Sequence, residues 1–400
     1  MLVAVAVAVA VGFGVVAPAI PEFARSFGVG KTAAGAVISA FAFMRFVSAL
    51  GGGKLVDKFG ERVILTVGIG IVAVSTGLAG LSQSYEQLLI LRGIGGIGSA
   101  MFTVSATALL FRVVDGSSRG RASGLFQSGF LIGGLLGPLA GGFLTDYSLR
   151  LPFYVYAVSL IAAGSIGGLF LRAAQLRDEP TPSGADGDGA VVSTTLAQAW
   201  AQPAYRTAVL VNFAIGWALF GVRMSLVPLF VTEGMNERPV WTGVGFLCSS
   251  VAQAALLLVA GRFVDQRGRR PAMVIGAAVS TVAFVILAVS TWLPLFLVAM
   301  TAVGAGGAFV GTAPGAVVGD IMRGRGGRVV AVFQMSSDFG AITGPLVAGL
   351  LADHVSFGAG FLSCAVVLFA ATVMATRMPE TMKPSRGYPD RSGTTGEHER

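Results

Sequence analysis

Long apolar runs alternate with short charged or turn segments along the whole chain. The runs cover residues 2–21, 32–53, 63–82, 86–111, 122–145, 151–172, 205–231, 240–262, 272–290, 293–319, 329–352 and 355–376. Each is long enough to cross a bilayer, because a membrane-spanning helix needs ~20 apolar residues. The first run alternates Val and Ala as a strand would, but a lone strand leaves its backbone groups unpaired in lipid. The pattern therefore predicts an all-α membrane protein with twelve transmembrane helices.

The composition excludes a soluble enzyme. Of the 400 residues, 54% are apolar and 12% are charged, and the charged share is roughly half of the ~25% usual in soluble domains. The net charge is +8, but the basic residues stand in short clusters between apolar runs, so we predict no nucleic-acid partner. Cys248 and Cys364 lie inside apolar runs without a CxxC or Cys/His cluster, so no disulfide, metal or cofactor is predicted.

Basic residues are divided very unequally between the two sides that the helices define. One side carries 21 of the 28 Lys and Arg residues, the other carries 4, and Arg45, Arg92 and Arg223 fall inside runs. Because basic residues collect on the cytoplasmic side, we predict a multi-pass plasma (inner) membrane protein with both termini in the cytoplasm. The same side holds residues 173–203, predicted to be a flexible linker, and the polar tail 378–400, predicted to be disordered.

The two halves of the chain repeat each other. Residues 137–146, GPLAGGFLTD, align with residues 344–353, GPLVAGLLAD, at an offset of 207 positions. Residues 53–60 align with residues 261–268 at an offset of 208. The six helices of each half keep the same direction, so residues 1–172 and 204–377 are predicted to form two six-helix halves related by pseudo-two-fold symmetry. A central cavity between the halves is the expected consequence.

The repeated segment between the second and third helices carries a motif. It reads Gly53-x-x-x-Asp57-Lys58-x-Gly60-x-Arg62, and its second copy reads Gly261-x-x-x-Asp265-x-x-Gly268-Arg269-Arg270. The motif resembles the loop signature of the major facilitator superfamily of secondary transporters, and the resemblance extends over essentially the whole chain. It implies a conformational role for Gly53, Asp57, Gly60, Arg62, Gly261, Asp265 and Gly268. Glu61 stands where the second copy has an arginine, so no arginine role is carried over to that position.

Glycines and prolines in the fifth and eleventh helices form a second pattern. The fifth helix holds Gly133, Gly137, Pro138, Gly141 and Gly142, and the eleventh holds Gly344 and Pro345 in matching positions. The pattern is similar to a signature of exporters in this superfamily, most of which are proton-driven antiporters. From the residues alone, glycines four apart also form a small-residue face for close helix packing, and both interpretations stay open.

Asp338 is the one acidic residue well inside an apolar run. A carboxyl group in a low-dielectric cavity can take up and release a proton as its access alternates, so Asp338 is the predicted proton-coupling residue. Glu22 and Asp57, at helix ends, are weaker candidates for that role. The alternative for Asp338 is a structural ion pair with one of the intramembrane arginines.

Those arginines, Arg45, Arg92 and Arg223, are also candidates for lining a substrate cavity. Arg45 either binds an anionic substrate group or pairs with Asp338. Arg92 is expected to face a cavity or an acidic partner, with extension to the membrane surface as the alternative, and for Arg223 we expect extension to the surface. The predicted polar cavity residues are Asn212, Gln127 and Gln334.

These features together favour a proton-coupled exporter of hydrophobic or amphiphilic small molecules, such as drugs, that works by alternating access. The alternatives are uptake of a small anionic metabolite and a membrane sensor or scaffold without transport. The expected partners are a small-molecule substrate, protons and the lipid bilayer, and the expected state is a monomer. The sequence shows no Walker-type nucleotide motif and no catalytic constellation, so neither ATP-driven pumping nor enzyme activity is predicted.

Overall fold

The computed structural model describes residues 2–113, 133–134, 137–173, 194–322 and 327–382. In its first half the helices are α1 (Leu2–Val16), α2 (Ala19–Arg25), α3 (Lys31–Phe59), α4 (Glu61–Gly80), α5 (Tyr85–Val113), α6 (137–147) and α7 (Leu151–Ala173). The chain breaks between α1 and α2 at Pro18, which stands at the N-cap of α2. A proline cannot donate the backbone hydrogen bond that would continue α1, so the break follows from the sequence.

The second half begins with a short helix and a distorted one. Its helices are α8 (Leu196–Ala201), α9 (Pro203–Ile215), α10 (Arg223–Leu229), α11 (Val240–Arg267), α12 (Arg269–Val289), α13 (Leu293–Ile321), α14 (Gly327–His354) and α15 (Phe357–Arg377). Two π-helical segments, Gly216–Val222 and Phe230–Gly234, flank α10, so α9 and α10 belong to one continuous but irregular helix.

The helices agree with the predicted membrane spans. Ten helical stretches in the described residues are long and apolar enough to cross a membrane, and Leu151–Ser165 is a shorter apolar stretch. The predicted runs are helical where the structure describes them, apart from the break at residues 17–18 and a few residues at run ends, and most of the fifth run, at 122–132 and 135–136, lies outside the described residues. The chain is therefore a multi-pass membrane protein.

Each half buries an apolar core of its own. In the first half, fully buried side chains include Leu65, Leu88 and Phe153. In the second half they include Phe246, Phe284 and Phe361. Each half is thus a packed unit, and the two units meet where Leu229 and Phe357 of the second half pack against the core of the first.

The motif that the sequence placed in a loop is mostly helical. Gly53 and Asp57 lie within α3, Arg62 lies within α4, and the junction between these helices is Gly60 alone, with φ of +80°. Gly268 forms the same junction between α11 and α12 at φ of +114°. A reversal of direction across one residue requires a backbone conformation that L side chains rarely adopt, so glycine is needed at both junctions.

Two segments predicted to lack structure are ordered where the structure describes them. The linker 173–203 ends in α8, because Thr195 and Gln198 form reciprocal side-chain-to-backbone hydrogen bonds at its start. Residues 378–382 of the tail are also placed, since the carboxylate of Glu380 accepts hydrogen bonds from the backbone N–H groups of Arg269 and Arg270 at 3.0 Å. That carboxylate satisfies donors that the start of α12 leaves free.

Candidate functional site

Helices α3 and α14 run antiparallel to each other and join the two halves. At the start of α3, Asp353 accepts hydrogen bonds from the backbone N–H groups of Lys31 and Thr32, both at 2.8 Å, and from the Thr32 hydroxyl at 2.7 Å. The carboxylate therefore caps a helix of the opposite half. We call this end of the bundle, where turn 26–30 meets the end of α14, the closed end.

An ion pair lies midway along the same helix pair. Arg45 Nη2 is 2.7 Å from Asp338 Oδ1, and the two side chains are 42% and 25% exposed. The hydrogen bonds and ion pairs that join described residues of one half to described residues of the other lie at this pair or between it and the closed end. The structure thus selects Arg45 from the three arginines considered as partners of Asp338. Charged groups at this depth of two membrane-crossing helices usually face the interior of the bundle or a water-filled cavity.

Helices α6 and α11 form a second contact between the halves, on the opposite side of the bundle's pseudo-symmetry axis. At the closed end, Arg238 Nε donates to Asp146 Oδ1 at 3.3 Å. Beyond this ion pair the two backbones approach closely, because a methyl group on Gly243 would lie 2.6 Å from the carbonyl oxygen of Pro138. The contact combines small residues with one further hydrogen bond, which Ser250 Oγ donates to the carbonyl oxygen of Gly134 at 2.8 Å.

The motif glycines of the predicted fifth helix, whose described part is residues 133–134 and α6, pack against α1 and α11. A methyl group on Gly137 would lie 2.6 Å from the carbonyl oxygen of Val11 in α1, and Gly133 and Gly141 face the same helix. Gly142 instead faces Gly243 of the opposite half, where a methyl group would lie 3.0 Å from its Cα. The small-residue interpretation of these positions is therefore what the geometry supports directly.

The second copy of this pattern repeats the arrangement. A methyl group on Gly344 would lie 2.8 Å from the carbonyl oxygen of Trp217, in the helix equivalent to α1. Gly349, 207 positions after Gly142, faces Thr32 of the opposite half. A methyl group on Gly35 would lie 2.7 Å from the carbonyl oxygen of Pro345. In each copy of the pattern, therefore, one glycine packs against a helix of its own half (Gly137 or Gly344) and another against the opposite half (Gly142 or Gly349).

The π-helical segment Gly216–Val222 lies next to Asp338. A side chain at Gly216 would clash with the carbonyl of Ser337, the residue before Asp338. Asn212, one turn earlier, donates from Nδ2 to the carbonyl of Phe333 at 2.6 Å and to Ser336 Oγ at 3.3 Å. Asn212 therefore holds α9 to α14 within the second half. It was predicted to line a cavity, and the structure places it between these two helices. Single π-helical turns in α-helices are frequent at functional sites.

Two arginines predicted for the cavity are enclosed in separate halves. Arg92 is 2% exposed, its guanidinium lies 4.5 Å from the ring centre of Phe41, and its Nε has no hydrogen-bond partner in the described structure. Burial excludes extension to the membrane surface. Arg223 donates to Ser249 Oγ at 2.9 Å and lies over the ring of Phe246. It points into its own bundle, so the expectation that it extends to the surface is wrong.

The remaining polar predictions have different outcomes. Gln334 is exposed on α14, four residues before Asp338. Gln127 lies outside the described residues. Glu22 is a weaker candidate than Asp338 by its place at a helix end, yet it is 8% exposed and its Oε1 has no hydrogen-bond partner in the described part of the chain. Sequence analysis did not predict that Asp146 and Asp353 bind the opposite half at the closed end. Their equivalent positions in the repeat were the signal that could have pointed to them.

The second copy of the junction motif forms an ionic cluster at the opposite end of the bundle. Arg269 Nε lies 3.0 Å from Asp320 Oδ2, and its Nη1 lies 3.5 Å from Asp265 Oδ1. Partial burial acts to raise the pKa of Glu380, but hydrogen bonds from four backbone N–H groups hold that pKa below its ordinary value. The cluster ties α11, α12, α13 and the first residues of the tail together, whereas Gly261 faces open space.

Comparisons with known proteins agree with this architecture. The family model described as Major Facilitator Superfamily matches residues 2–249 and 242–396. Multidrug resistance protein 1 of Bacillus subtilis (strain 168) is 25% identical over 380 residues, which cover 94% of this chain and 95% of that protein. Quinolone resistance protein NorA of Staphylococcus aureus (strain MRSA252) is 29% identical over 177 residues, 44% of each chain.

Solved transporters share the fold. A bacterial homolog of the human lysosomal transporter Spinster, in an inward-facing and occupied conformation, superposes with a TM-score of 0.73 at 16% identity and covers 94% of this chain and 96% of its own. A mutant form of the nucleoside transporter NupG gives 0.69 at 15% identity over 94% and 98% of the two chains. Two six-helix halves, paired junction motifs and a family model that matches nearly the whole sequence lead to one conclusion: the chain belongs to the Major Facilitator Superfamily of membrane transporters, which are not enzymes.

Proposed function

We propose that this transporter exports hydrophobic or amphiphilic small molecules in exchange for protons, by rocking of its two halves around a site near Arg45 and Asp338. The observation that carries the proposal is the ion pair between these residues, 2.7 Å long, which joins α3 of one half to α14 of the other. Any movement that separates α3 from α14 breaks this pair. Conformation and the charge state of Asp338 are therefore linked.

The linkage gives a chemical route to antiport. While Arg45 neutralises Asp338, the carboxylate has no need of a proton. When the halves separate at the closed end, Asp338 loses its cation, and a proton becomes the alternative partner for a carboxylate at this depth. Binding of substrate or proton beside Arg45 then decides which conformation is favoured, since a ligand shifts an equilibrium by its differential affinity for the two states.

The charge asymmetry of the sequence supports an orientation of the protein in the membrane. The closed end belongs to the side with 4 basic residues, and the opposite end to the side with 21. The positive-inside rule then assigns the closed end to the exterior and both termini to the cytoplasm, so that the described conformation is open towards the cytoplasm. Export as the direction of transport is supported by the relatives, which are named for drug and quinolone resistance.

The substrate class is supported by the relatives and by the side chains around the pair. Multidrug resistance protein 1 and NorA are named for resistance to drugs and to quinolones. Near Arg45 and Asp338 in sequence, Phe43 and Phe339 are 50% and 57% exposed. Aromatic surface with few polar groups suits apolar and amphiphilic molecules, because binding then depends on buried area more than on specific hydrogen bonds.

The test uses inverted membrane vesicles with an imposed proton gradient and a panel of a quinolone, a cationic dye and a neutral amphiphile. We expect wild-type uptake into the vesicles that collapses with a protonophore, and Asp338→Asn to lose uphill transport while exchange without a gradient persists. Asp338→Glu should retain part of the activity with a shifted pH profile. Glu86→Gln, which removes an exposed acid at the start of α5, is the matched control. Transport that survives the protonophore would contradict proton coupling.

The ion pair has a purely structural alternative, which the same assay separates. If Asp338→Asn reaches the membrane poorly but is rescued by Arg45→Gln, the pair serves stability, because one charge left alone is the source of the defect. If the double variant also regains proton-dependent transport, coupling resides elsewhere. Full uphill transport by Asp338→Asn across about pH 6 to pH 8 would refute its coupling role as well.

An anionic substrate is a second candidate, favoured by Arg92. Its guanidinium is buried, and no acidic residue in the described structure forms an ion pair with it. A buried cation without a counter-charge is costly, and an anionic ligand group would offset that cost. Adding an organic anion to the vesicle panel tests this, with Arg92→Gln expected to reduce transport of the anion more than transport of the cationic dye.

A further inference from the structure

Glu22 is a buried carboxyl group without a partner. It lies in α2 near the closed end, it is 8% exposed, and Oε1 accepts no hydrogen bond within the described structure. Asp146 and Glu233 are both within electrostatic reach of it. A carboxylate that is largely buried, has one enclosed and unpaired oxygen and lies beside two other carboxylates is disfavoured relative to the neutral acid.

The nearby cation is committed to the opposite half. Arg25 follows Glu22 by three residues on α2, a spacing that places both side chains on one helix face. In the described conformation Arg25 instead forms two bonds to Glu233, Nε to Oε1 at 2.6 Å and Nη2 to Oε2 at 3.1 Å. Glu233 belongs to the second half, so contact between the halves removes from Glu22 the cation that would stabilise its charged form.

Other charged groups at this end are already paired or exposed. Lys31 lies 3.9 Å from both Glu233 and Asp353. Arg238 pairs with Asp146, and Arg150 lies over the ring of Phe23. His354 and Glu86 are exposed. None of these cations is bonded to Glu22 in the described structure.

We propose that Glu22 is a proton-binding site of the closed end, which holds a proton while the halves are in contact there and loses it when they separate. Separation takes Glu233 away with the second half, admits water, and frees Arg25 to pair with Glu22 on its own helix. Closure reverses these steps and needs one proton from the side that the closed end faces. The inference rests on the proposed function in one respect, namely that the closed end faces the exterior, so that the proton is taken from that side on closure and returned to it on separation.

The test measures separation at the closed end against pH, without substrate and without a transport assay. Gln83 and Thr291 are exposed turn residues at this end, one in each half and 208 positions apart. Spin labels on Gln83→Cys and Thr291→Cys, in the full chain with Cys248 and Cys364 replaced by Ala, report the distance between the halves. Each measurement is made with Asp338 and with Asp338→Asn, because protonation of Asp338 is proposed to favour separation of the same end. We expect a short distance at about pH 6 and a growing long-distance population towards about pH 9. The ratio of the two should change by up to tenfold per pH unit, the limit for one proton.

Variants assign the response to Glu22. Glu22→Gln mimics the protonated acid, so it should keep the short distance at every pH. Glu86→Gln and His354→Gln remove exposed titratable groups at the same end and should respond as wild type does. A wild-type response that persists in Glu22→Gln, that vanishes in His354→Gln, or that is absent from the wild type overturns the proposal.

A conservative variant covers a failure of Glu22→Gln to fold. Glu22→Asp keeps a titratable group but moves it by one methylene, so pH-dependent closure should persist with a displaced midpoint, and an unchanged midpoint contradicts the proposal. Failure of proton-coupled transport in vesicles would leave this distance response in place. Failure of the distance response would leave the vesicle result in place, so the two hypotheses are separable.

Discussion

Asp146 and Asp353 occupy the same position of the repeat, 207 residues apart, but they hold the two halves together in different ways. Asp353 accepts two backbone N–H groups and a hydroxyl at the start of α3. Asp146 binds the guanidinium of Arg238, a side chain that is 71% exposed. One contact is a helix cap with fixed geometry, and the other is an ion pair at the surface.

The difference has a cause in single residues. Along α3 and α11 the repeat offset is 208, as for Gly53 and Gly261, so Lys31 is equivalent to Pro239 and Thr32 to Val240. Lys31 and Thr32 supply two N–H groups and a hydroxyl to Asp353, whereas proline has no N–H to supply and valine has no hydroxyl. Helix α11 accordingly starts at Val240, one repeat position later than α3. The repeat has kept the position of the acid while its chemistry differs, and close backbone packing stabilises the α6–α11 contact instead.

The largest effect is expected from filling the α6–α11 contact. Gly243→Val places a side chain against the backbone carbonyl of Pro138, which lies 2.6 Å from the position of the new Cβ and cannot move independently of α6. Overpacking of this kind costs ~1–3 kcal/mol. The closed conformation should lose most of its population, as measured by the Gln83–Thr291 spin-label distance, and transport should fall with it.

A matched substitution controls for the loss of a helical glycine. Gly311→Val introduces the same side chain in α13, where nothing lies within 4 Å of the added Cβ. It should keep the wild-type distance and transport. Equal effects of the two valines would show that general helix destabilisation, and not contact between the halves, is responsible.

The next largest effect is expected from removing the carboxylate of Asp353 that caps the start of α3. Asp353→Ala leaves the N–H groups of Lys31 and Thr32 without their acceptor, and loss of an N-cap acceptor costs ~0.5–2 kcal/mol. The spin-label distance should shift towards separation, with Asp353→Asn intermediate because its amide oxygen still accepts one bond. A salt titration should leave this shift largely unchanged, since hydrogen bonds to the backbone are screened little.

The same residues show how much of the structure can be predicted from the sequence. The apolar runs predicted the helices because membrane spans must be long and apolar, and the repeat placed Asp146 and Asp353 in equivalent positions. Arg45 was not distinguishable from Arg92 or Arg223 as the partner of Asp338, because helix rotation and packing decide which side chains meet. Glu380 was assigned to a disordered tail, since its hydrogen-bond partners lie about 110 residues away in sequence.

A smaller effect is expected at the exposed ion pair. Asp146→Ala removes the partner of Arg238, and exposed pairs contribute ~0–1 kcal/mol. The distance distribution should change less than for Asp353→Ala. High salt should reduce the difference between Asp146→Ala and wild type, because exposed charges are screened. An effect as large as that of Asp353→Ala, or one that is independent of salt, would contradict the contrast between cap and ion pair.

The smallest effect tests the cause itself, by giving the second copy the chemistry of the first. Pro239→Ala supplies an N–H at the position equivalent to Lys31, and Pro239→Ala with Val240→Thr adds the hydroxyl at the position equivalent to Thr32. If Asp146 captures these donors, the closed conformation should gain less than about 1 kcal/mol, more for the double variant than for Pro239→Ala. Each variant is measured with Asp146 and with Asp146→Ala, so that the double-mutant cycle isolates the new contact from the loss of proline. A gain that persists without Asp146 would mean that proline restrains the backbone, and the different ligands of the two acids would then need another explanation.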